Sequence, residues 1–442
     1  MKFDVNILNE FARSYGFHYD LVHGEVLVQD ILNEMDRGLK AEDSTLAMIP
    51  AYIKPLSGLP AGKPVVALDA GGTNLRAAIV QFNAEGEALT QNETKVPMPG
   101  AKGKGIVEPD AFFNEIAGLI APLLEACPAA AGIGFTFSYP MEITKDSDGI
   151  LLGLSKEINA PGLIGKAIGA GVIDALKARG IKAPPKITLL NDTAATLLSG
   201  VAEIPGKGPC IGFILGTGFN TAYPETEIKK IGFANSSNPQ IVVCETGNVK
   251  PRYLGYIDDE FDAGTKEPGV YRLEKSTSGA YLGGLCLHVF KHAAEDGLLE
   301  FAKKDELLAM KTLETRQLNE WMRGEAESNN VILNLLGKDE IAAGQTIAYL
   351  TSLVTERAAI FSAAVVAAMV ERIERQSPGK TTDPFAPVRI AVEGTTYMIY
   401  KGMRRALDAS LHHLLAKNGP RSYVMQPVEQ ASLFGAAVAA LS

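Results

Sequence analysis

Residues 64–76 read PVVALDAGGTNLR. An apolar run bounded by Pro64 and by Gly71-Gly72 predicts a buried strand over 64–70, and the paired glycines predict a tight turn into a second strand over 75–82. The amide N–H groups of such a turn form a concave donor array that suits phosphate oxygens. Thr73 and Asn74 add side-chain donors, Arg76 adds charge, and Asp69 at the strand end could hold a hydrated Mg²⁺, which takes only one or two carboxylates. A plain β-hairpin accounts for the same residues, with Asp69 bonding local amides. Residues 210–223 repeat the pattern: CIGFILG is an apolar strand, Gly216-Thr217-Gly218 a glycine turn, and a departing strand follows over 221–223. Neither turn fits G-x-x-x-x-G-K-[ST] or a strand-to-helix G-x-G-x-x-G, so the P-loop and the dinucleotide fingerprint are excluded.

Working outward, a third extended run is expected over 90–96, then helix (109–126), strand (132–138), helix (163–179) and strand (186–191). In the second half a strand is expected over 241–245, a helix-rich stretch over 274–375, a strand in RIAVEG (389–394) and a terminal helix ending in GAAVAAL. Two halves that open alike predict a duplicated α/β module. Before them, residues 1–60 read as helix and proline-punctuated connector, and 378–387 as loop.

The 442 residues are 46% hydrophobic and 21% charged, which suits a large packed core and excludes a disordered chain. A formal charge of −9 argues against nucleic acid or an anionic membrane surface as partner. Cys127, Cys210, Cys244 and Cys286 are scattered without a C-x-x-C pair, so reduced thiols are expected. The first residues lack the apolar core of a signal peptide, and the apolar stretch 358–370 is too short to span a bilayer. A cytoplasmic protein is the expectation; the oligomeric state is open.

KITLLNDT (186–193) sets Asn191 and Asp192 at the end of an apolar strand where a helix begins. Ligands in α/β proteins gather at that edge. Taken locally, Asp192 is also a good helix N-cap. Phosphoryl transfer, however, asks a protein only to hold phosphates and Mg²⁺ and to position the acceptor hydroxyl, and an aspartate can accept that hydroxyl's proton. Sugar hydroxyls both donate and accept, so side chains that do either are wanted around them. Candidates are Ser138, Ser155, Lys156, Asn191, Asn220, Glu245 and Glu274.

The ordered set LDAGGTNLR, GFTFSYP, LLNDT, ILGTGFN, VVCETG and LEKSTSGAYLGG resembles the hexokinase/glucokinase family from about residue 25 to the C-terminus. The resemblance implies a duplicated actin-like (RNase H-like) ATPase fold with an interdomain cleft: a small domain over 62–194 plus 434–442, and a large one over 1–61 and 195–433. It implies ATP-dependent phosphorylation of the 6-hydroxyl of a hexose, glucose first, with Asp192 as the base. The first phosphate loop would be Asp69, Gly71, Gly72, Thr73, Asn74 and Arg76, with Asp69 near Mg²⁺. The second would be Gly216, Thr217 and Gly218, with Gly394 and Thr395 also at the nucleotide. The sugar would meet Ser138, Ser155, Lys156, Asn191, Asn220, Glu245 and Glu274. The chain departs from the family pattern at Thr246 (usually Trp), Gly284 (usually Glu) and Phe219 (often Ser or Thr). VEGT (392–395) stands where Val-Asp-Gly-Ser is usual, and EQASLFG (429–435) where Glu-Asp-Gly-Ser-Gly is. The changes at 246 and 284 motivate one alternative, a non-catalytic sugar-binding or regulatory protein on the same scaffold; a kinase preferring mannose, fructose or an amino sugar is a second, within the same reaction class.

Overall fold

The run VVALDAG forms strand β1 (Val65–Gly71), buried apart from its Asp69 and Gly71 positions. Gly72, at φ 60°, reverses the chain into β2 (Asn74–Phe82), so that Gly71 pairs with Asn74 and Asp69 with Arg76. Only glycine takes this left-handed conformation without strain. The computed structural model describes residues 3–55, 59–101, 105–154, 158–182, 184, 186–204, 206–337, 339–417 and 419–442.

β3 (Ala88–Pro97), β4 (Ile133–Phe137) and β5 (Ile187–Leu190) complete a sheet of order β3-β2-β1-β4-β5. β2 and β3 run antiparallel, whereas β4 and β5 run parallel to β1. Helices α1 (Pro109–Ala126) and α2 (Ile168–Ala178) supply the crossovers, and their buried faces join β1, β2 and β4 in one apolar cluster.

The second sheet repeats this plan. β6 (Cys210–Leu215), β7 (Phe219–Glu225), β8 (Gln240–Val243), β9 (Val388–Glu393) and β10 (Tyr423–Pro427) lie in the order β8-β7-β6-β9-β10, with the two-residue strand Ile49–Pro50 added at the β8 edge. Again the first three strands form an antiparallel meander and the last two run parallel to the first. The expected duplication is therefore present strand for strand.

Two helices join the sheets. α3 (Asp192–Glu203) follows β5, and α6 (Ala431–Ala440) follows β10; with residues of both sheets they form a cluster rich in alanine. Small residues set this contact. A Cβ at Gly134 of β4 would lie 1.8 Å from the Ala436 carbonyl oxygen, and one at Gly435 2.2 Å from that of Ala195. Gly134→Val therefore forces backbone apart and should cost roughly 3 kcal/mol. A urea-denaturation midpoint unchanged from the parent would contradict this packing. The expected domain division at residue 194 falls inside α3, a single helix.

The helix-rich stretch contains α4 (Arg272–Thr277) and ends with α5 (Ile341–Gln376), 36 residues long. By length and composition α5 could cross a bilayer, but 89% of its most apolar window is buried. It forms the spine of the largest core cluster, against the second sheet and the N-terminal helices Val5–Ser14 and Gly24–Leu39. Arg357, fully buried at its middle, makes two 2.7 Å hydrogen bonds to the Asp258 carboxylate.

Candidate active site

The cap of α3 falls to Asn191, whose Oδ1 accepts from the Ala194 N–H at 2.9 Å. Asp192 is the first helical residue, and its carboxylate accepts from the neighbouring Thr193 hydroxyl at 3.2 Å. The capping role open to Asp192 in the sequence is thus filled by its neighbour, and Asp192 is left at the sheet edge, half-buried. Burial pushes its carboxyl above the usual carboxylate range, opposed by the Thr193 N–H and hydroxyl.

Asp69 stands at the end of β1, its backbone beside Thr136 of β4. Burial raises its carboxyl too; Arg76 and Lys95 pull it down and the Asp192 charge pushes it up. The first turn is braced from outside: the Tyr139 hydroxyl donates to the Gly72 carbonyl at 2.7 Å, and the Met98 N–H to that of Thr73 at 2.8 Å. Residues Gly71 to Asn74 remain exposed. Arg76 turns partly away from them, donating to Gln430 at 3.2 Å and lying 3.6 Å from Glu93. Ser138 follows β4, its N–H bonded to the Ala70 carbonyl at 3.1 Å.

The second turn is held in the same manner. The Gly216 carbonyl accepts from the Thr396 hydroxyl and the Gly279 N–H, both at 2.7 Å, and the Gly216 N–H donates to the Gly218 carbonyl at 3.0 Å. Gly394, at φ 123°, lies against it: a Cβ on Gly216 would be 3.2 Å from the Gly394 Cα. Gly216, Thr217, Gly218, Gly394 and Thr395 are therefore neighbours.

Asn220, on β7, organises the next group. Its Nδ2 donates to Glu245 at 2.8 Å, and its Oδ1 accepts from the N–H groups of Thr221, Glu245 and Thr246. These bonds hold Glu245 at φ 61°, a backbone state a non-glycine residue keeps only when its surroundings impose it. Burial raises the Glu245 carboxyl, Asn220 lowers it, and Asp192 raises it further. Glu274 on α4 accepts from the Phe219 N–H at 2.9 Å and so ties the second turn to the Glu245 side; burial lifts its carboxyl as well. Asp69, Asp192, Asn191, Asn220, Glu245 and Glu274 thus form one polar constellation across both sheets. Ser155 and Lys156 lie outside the described residues.

Three departures have structural reasons. Thr246 is fully buried, its hydroxyl 3.3 Å from that of Thr221, so position 246 faces the interior. Phe219 turns its ring into the core against Phe213, centroids 5.4 Å apart, leaving the turn to its backbone. At Gly284 a Cβ would come within 2.9 Å of the Phe261 ring, which occupies the space a longer side chain would need.

Glu393 was not singled out among the site candidates, yet it belongs with them: its carboxyl lies 2.9 Å from the Thr196 hydroxyl and feels Asp192 and Asp69. The signal was present. VALD, LLND and IAVE each end an apolar strand in a carboxylate or an Asn-Asp pair.

Among the described residues no group of three or more His, Cys, Asp or Glu side chains is arranged to hold a metal ion directly. One desolvated carboxylate, Asp69, pushed up by a second, is a donor set that fits a mostly hydrated Mg²⁺.

Two sheets of matching strand order, joined by α3 and α6 and bearing a glycine turn each, define the duplicated actin-like ATPase fold. A family model described as Hexokinase matches residues 210–442, and a second of the same description matches residues 10–202. The chain belongs to the hexokinase family. It is 29% identical to Hexokinase-3 of Mus musculus over an alignment 419 positions long, which covers 90% of this chain and 43% of the mouse protein. It is 27% identical to Hexokinase-1 of Schizosaccharomyces pombe over an alignment 455 positions long, which covers 98% of this chain and 89% of the yeast protein. The chain thus spans less than half the length of the mammalian relative and most of the yeast one. A Schistosoma mansoni hexokinase structure, complexed with glucose, superposes with a TM-score of 0.73 at 24% identity, covering 99% of this chain and 100% of that one.

Proposed function

We propose that this chain transfers the γ-phosphoryl group of ATP to the 6-hydroxyl of a hexose, glucose first, giving a hexose 6-phosphate and ADP. The observation that carries the reading is Asp192: released from capping by Asn191, it stands within electrostatic reach of Asp69 at the first glycine turn and of Glu245 beside Asn220. Asp192 would accept the hydroxyl proton as oxygen attacks phosphorus, its raised basicity bringing it nearer the working pH. The N–H groups of the first turn, Gly71 to Asn74, and of Thr217 and Gly218 in the second, which the Gly216 N–H closes by bonding the Gly218 carbonyl, would bind the phosphate chain, with Gly394 and Thr395 beside the nucleotide. Asn220, Glu245, Asn191, Ser138, Ser155, Lys156 and Glu274 would receive the sugar hydroxyls. Asp69 would hold Mg²⁺ through water; the ion, when bound, neutralises phosphate charge. Closure of lobes 62–194 with 434–442 and 1–61 with 195–433 would exclude water and favour the sugar as acceptor.

Glucose as first substrate draws support from the glucose bound in the Schistosoma mansoni protein. The missing carboxylate at Gly284 favours a second reading, a kinase preferring mannose, fructose or an amino sugar. The test is a coupled ADP-release assay over these hexoses with the purified chain. Sugar-dependent ADP release, highest with glucose, is expected. A larger kcat/KM with another hexose transfers the reading to that sugar, and calorimetric binding of sugar without ADP release would make the chain a non-catalytic sugar-binding protein.

A further inference from the structure

α3 is an apolar helix with one polar stripe: Asp192, Thr196, Ser199 and Glu203 recur at helical spacing on one face. The stripe meets the end of β9. Thr196 Oγ1 lies 2.9 Å from the Asp192 carbonyl oxygen and 2.9 Å from Glu393 Oε2. A threonine hydroxyl carries one proton and cannot donate it to both. In a helix the bond to the carbonyl four residues back is the standing local option, so the contact with Glu393 closes best if Glu393 carries the proton and donates to Thr196.

We propose that Glu393 is a positioning residue for Asp192: its protonated carboxyl, through Thr196, latches the first turn of α3 to the end of β9, immediately before the nucleotide residues Gly394 and Thr395. This deepens the kinase reading and rests on it.

The surroundings favour the protonated form. Burial, with the charges of Asp192, Asp69 and Glu203, raises the Glu393 carboxyl to about 7 even against a Thr196 hydroxyl donated to its ionised form; a bond donated by the protonated carboxyl favours the neutral form further. Glu203 further along the stripe is bonded by the Ser199 hydroxyl and, at 2.8 Å, by the Glu429 N–H. The cations of adjoining strands are engaged elsewhere. Arg389 on β9 gives its guanidinium to the carbonyls of Val201, Ile204 and Gly208, and Arg76 on β2 is turned to Gln430 and Glu93. Because the folded value is raised, the stabilisation from this group is complete below its unfolded value near 4.5 and is lost as pH rises through about 7. Above that pH a negative charge faces Asp192 and Asp69 where the triphosphate would dock.

The experiment compares the full chain with Glu393→Gln, Glu393→Ala and Thr196→Val. Each is followed by kcat and KM for Mg-ATP from pH 5.5 to 9, and by ¹³C NMR of glutamate carboxyls. In the parent, KM for the nucleotide should rise roughly three- to tenfold as Glu393 ionises. In Glu393→Gln, whose amide can still donate to Thr196, that rise should vanish while kcat stays at least tenfold above that of Glu393→Ala. Thr196→Val should resemble Glu393→Ala. Equal losses in Gln and Ala variants, or an unchanged pH profile in the Gln variant, would overturn the latch. The NMR titration needs no turnover: a carboxyl titrating near 7, absent from Glu393→Gln, is expected even if no sugar is phosphorylated. Its presence without turnover would sink the kinase reading alone, and its absence would sink the latch.

Discussion

Replacing Asp192 with alanine should lower hexose phosphorylation by about 10²–10⁴-fold and leave the fold intact, the range for loss of a general base. Two observations separate the catalytic from the structural effect. The helix cap is made by Asn191, so no capping bond is removed, and the Asp192 side chain has a local partner in Thr193. Thermal unfolding should accordingly move little. The base must be ionised to act, and burial raises its pKa, so activity of the parent should fall on the acid side, beginning above the ordinary carboxylate range. A purified Asp192→Ala protein that keeps most of its turnover would refute the assignment.

The largest effect on stability is expected at Asp258→Ala. Arg357 is completely buried on α5, and its guanidinium donates two 2.7 Å bonds to the Asp258 carboxylate. Asp258 also accepts from the Gly255 N–H at 2.9 Å, capping the helix Tyr256–Ala263. Removing the carboxylate leaves a cation in a dry core, which costs about 3–5 kcal/mol, whereas removing both charges costs far less. Urea denaturation should show the single loss, and its partial recovery in the double variant with Arg357→Met. A single-variant loss below about 1 kcal/mol would mean that water reaches the guanidinium.

Much of this molecule could be read from its sequence because the governing signals are local. Apolar runs ended by glycine pairs at 71–72 and 216–218 marked β1 and β6, and the repetition of strand, turn, strand exposed the duplication. What local reading could not assign was partnership. Asn191 and Asp192 are adjacent and both suit a cap; only the backbone geometry of α3 decides between them. Thr246, Phe219 and Gly284 stand out in the sequence only as departures from a family pattern; that the first two are core residues and that the third lies against Phe261 is a matter of packing. Glu393 and Thr196 lie 197 positions apart, and no periodicity connects them until β9 is laid beside α3.

The central claim is that Asp192 faces the acceptor hydroxyl while the two glycine turns hold the triphosphate. The most direct test is a crystal structure of the chain with a hexose and a non-hydrolysable ATP analogue. The sugar's C6 hydroxyl should lie about 3 Å from the Asp192 carboxylate, with the terminal phosphate between residues 71–74 and 216–218. A hexose bound with that hydroxyl turned away from Asp192, or a nucleotide remote from both turns, would contradict the account.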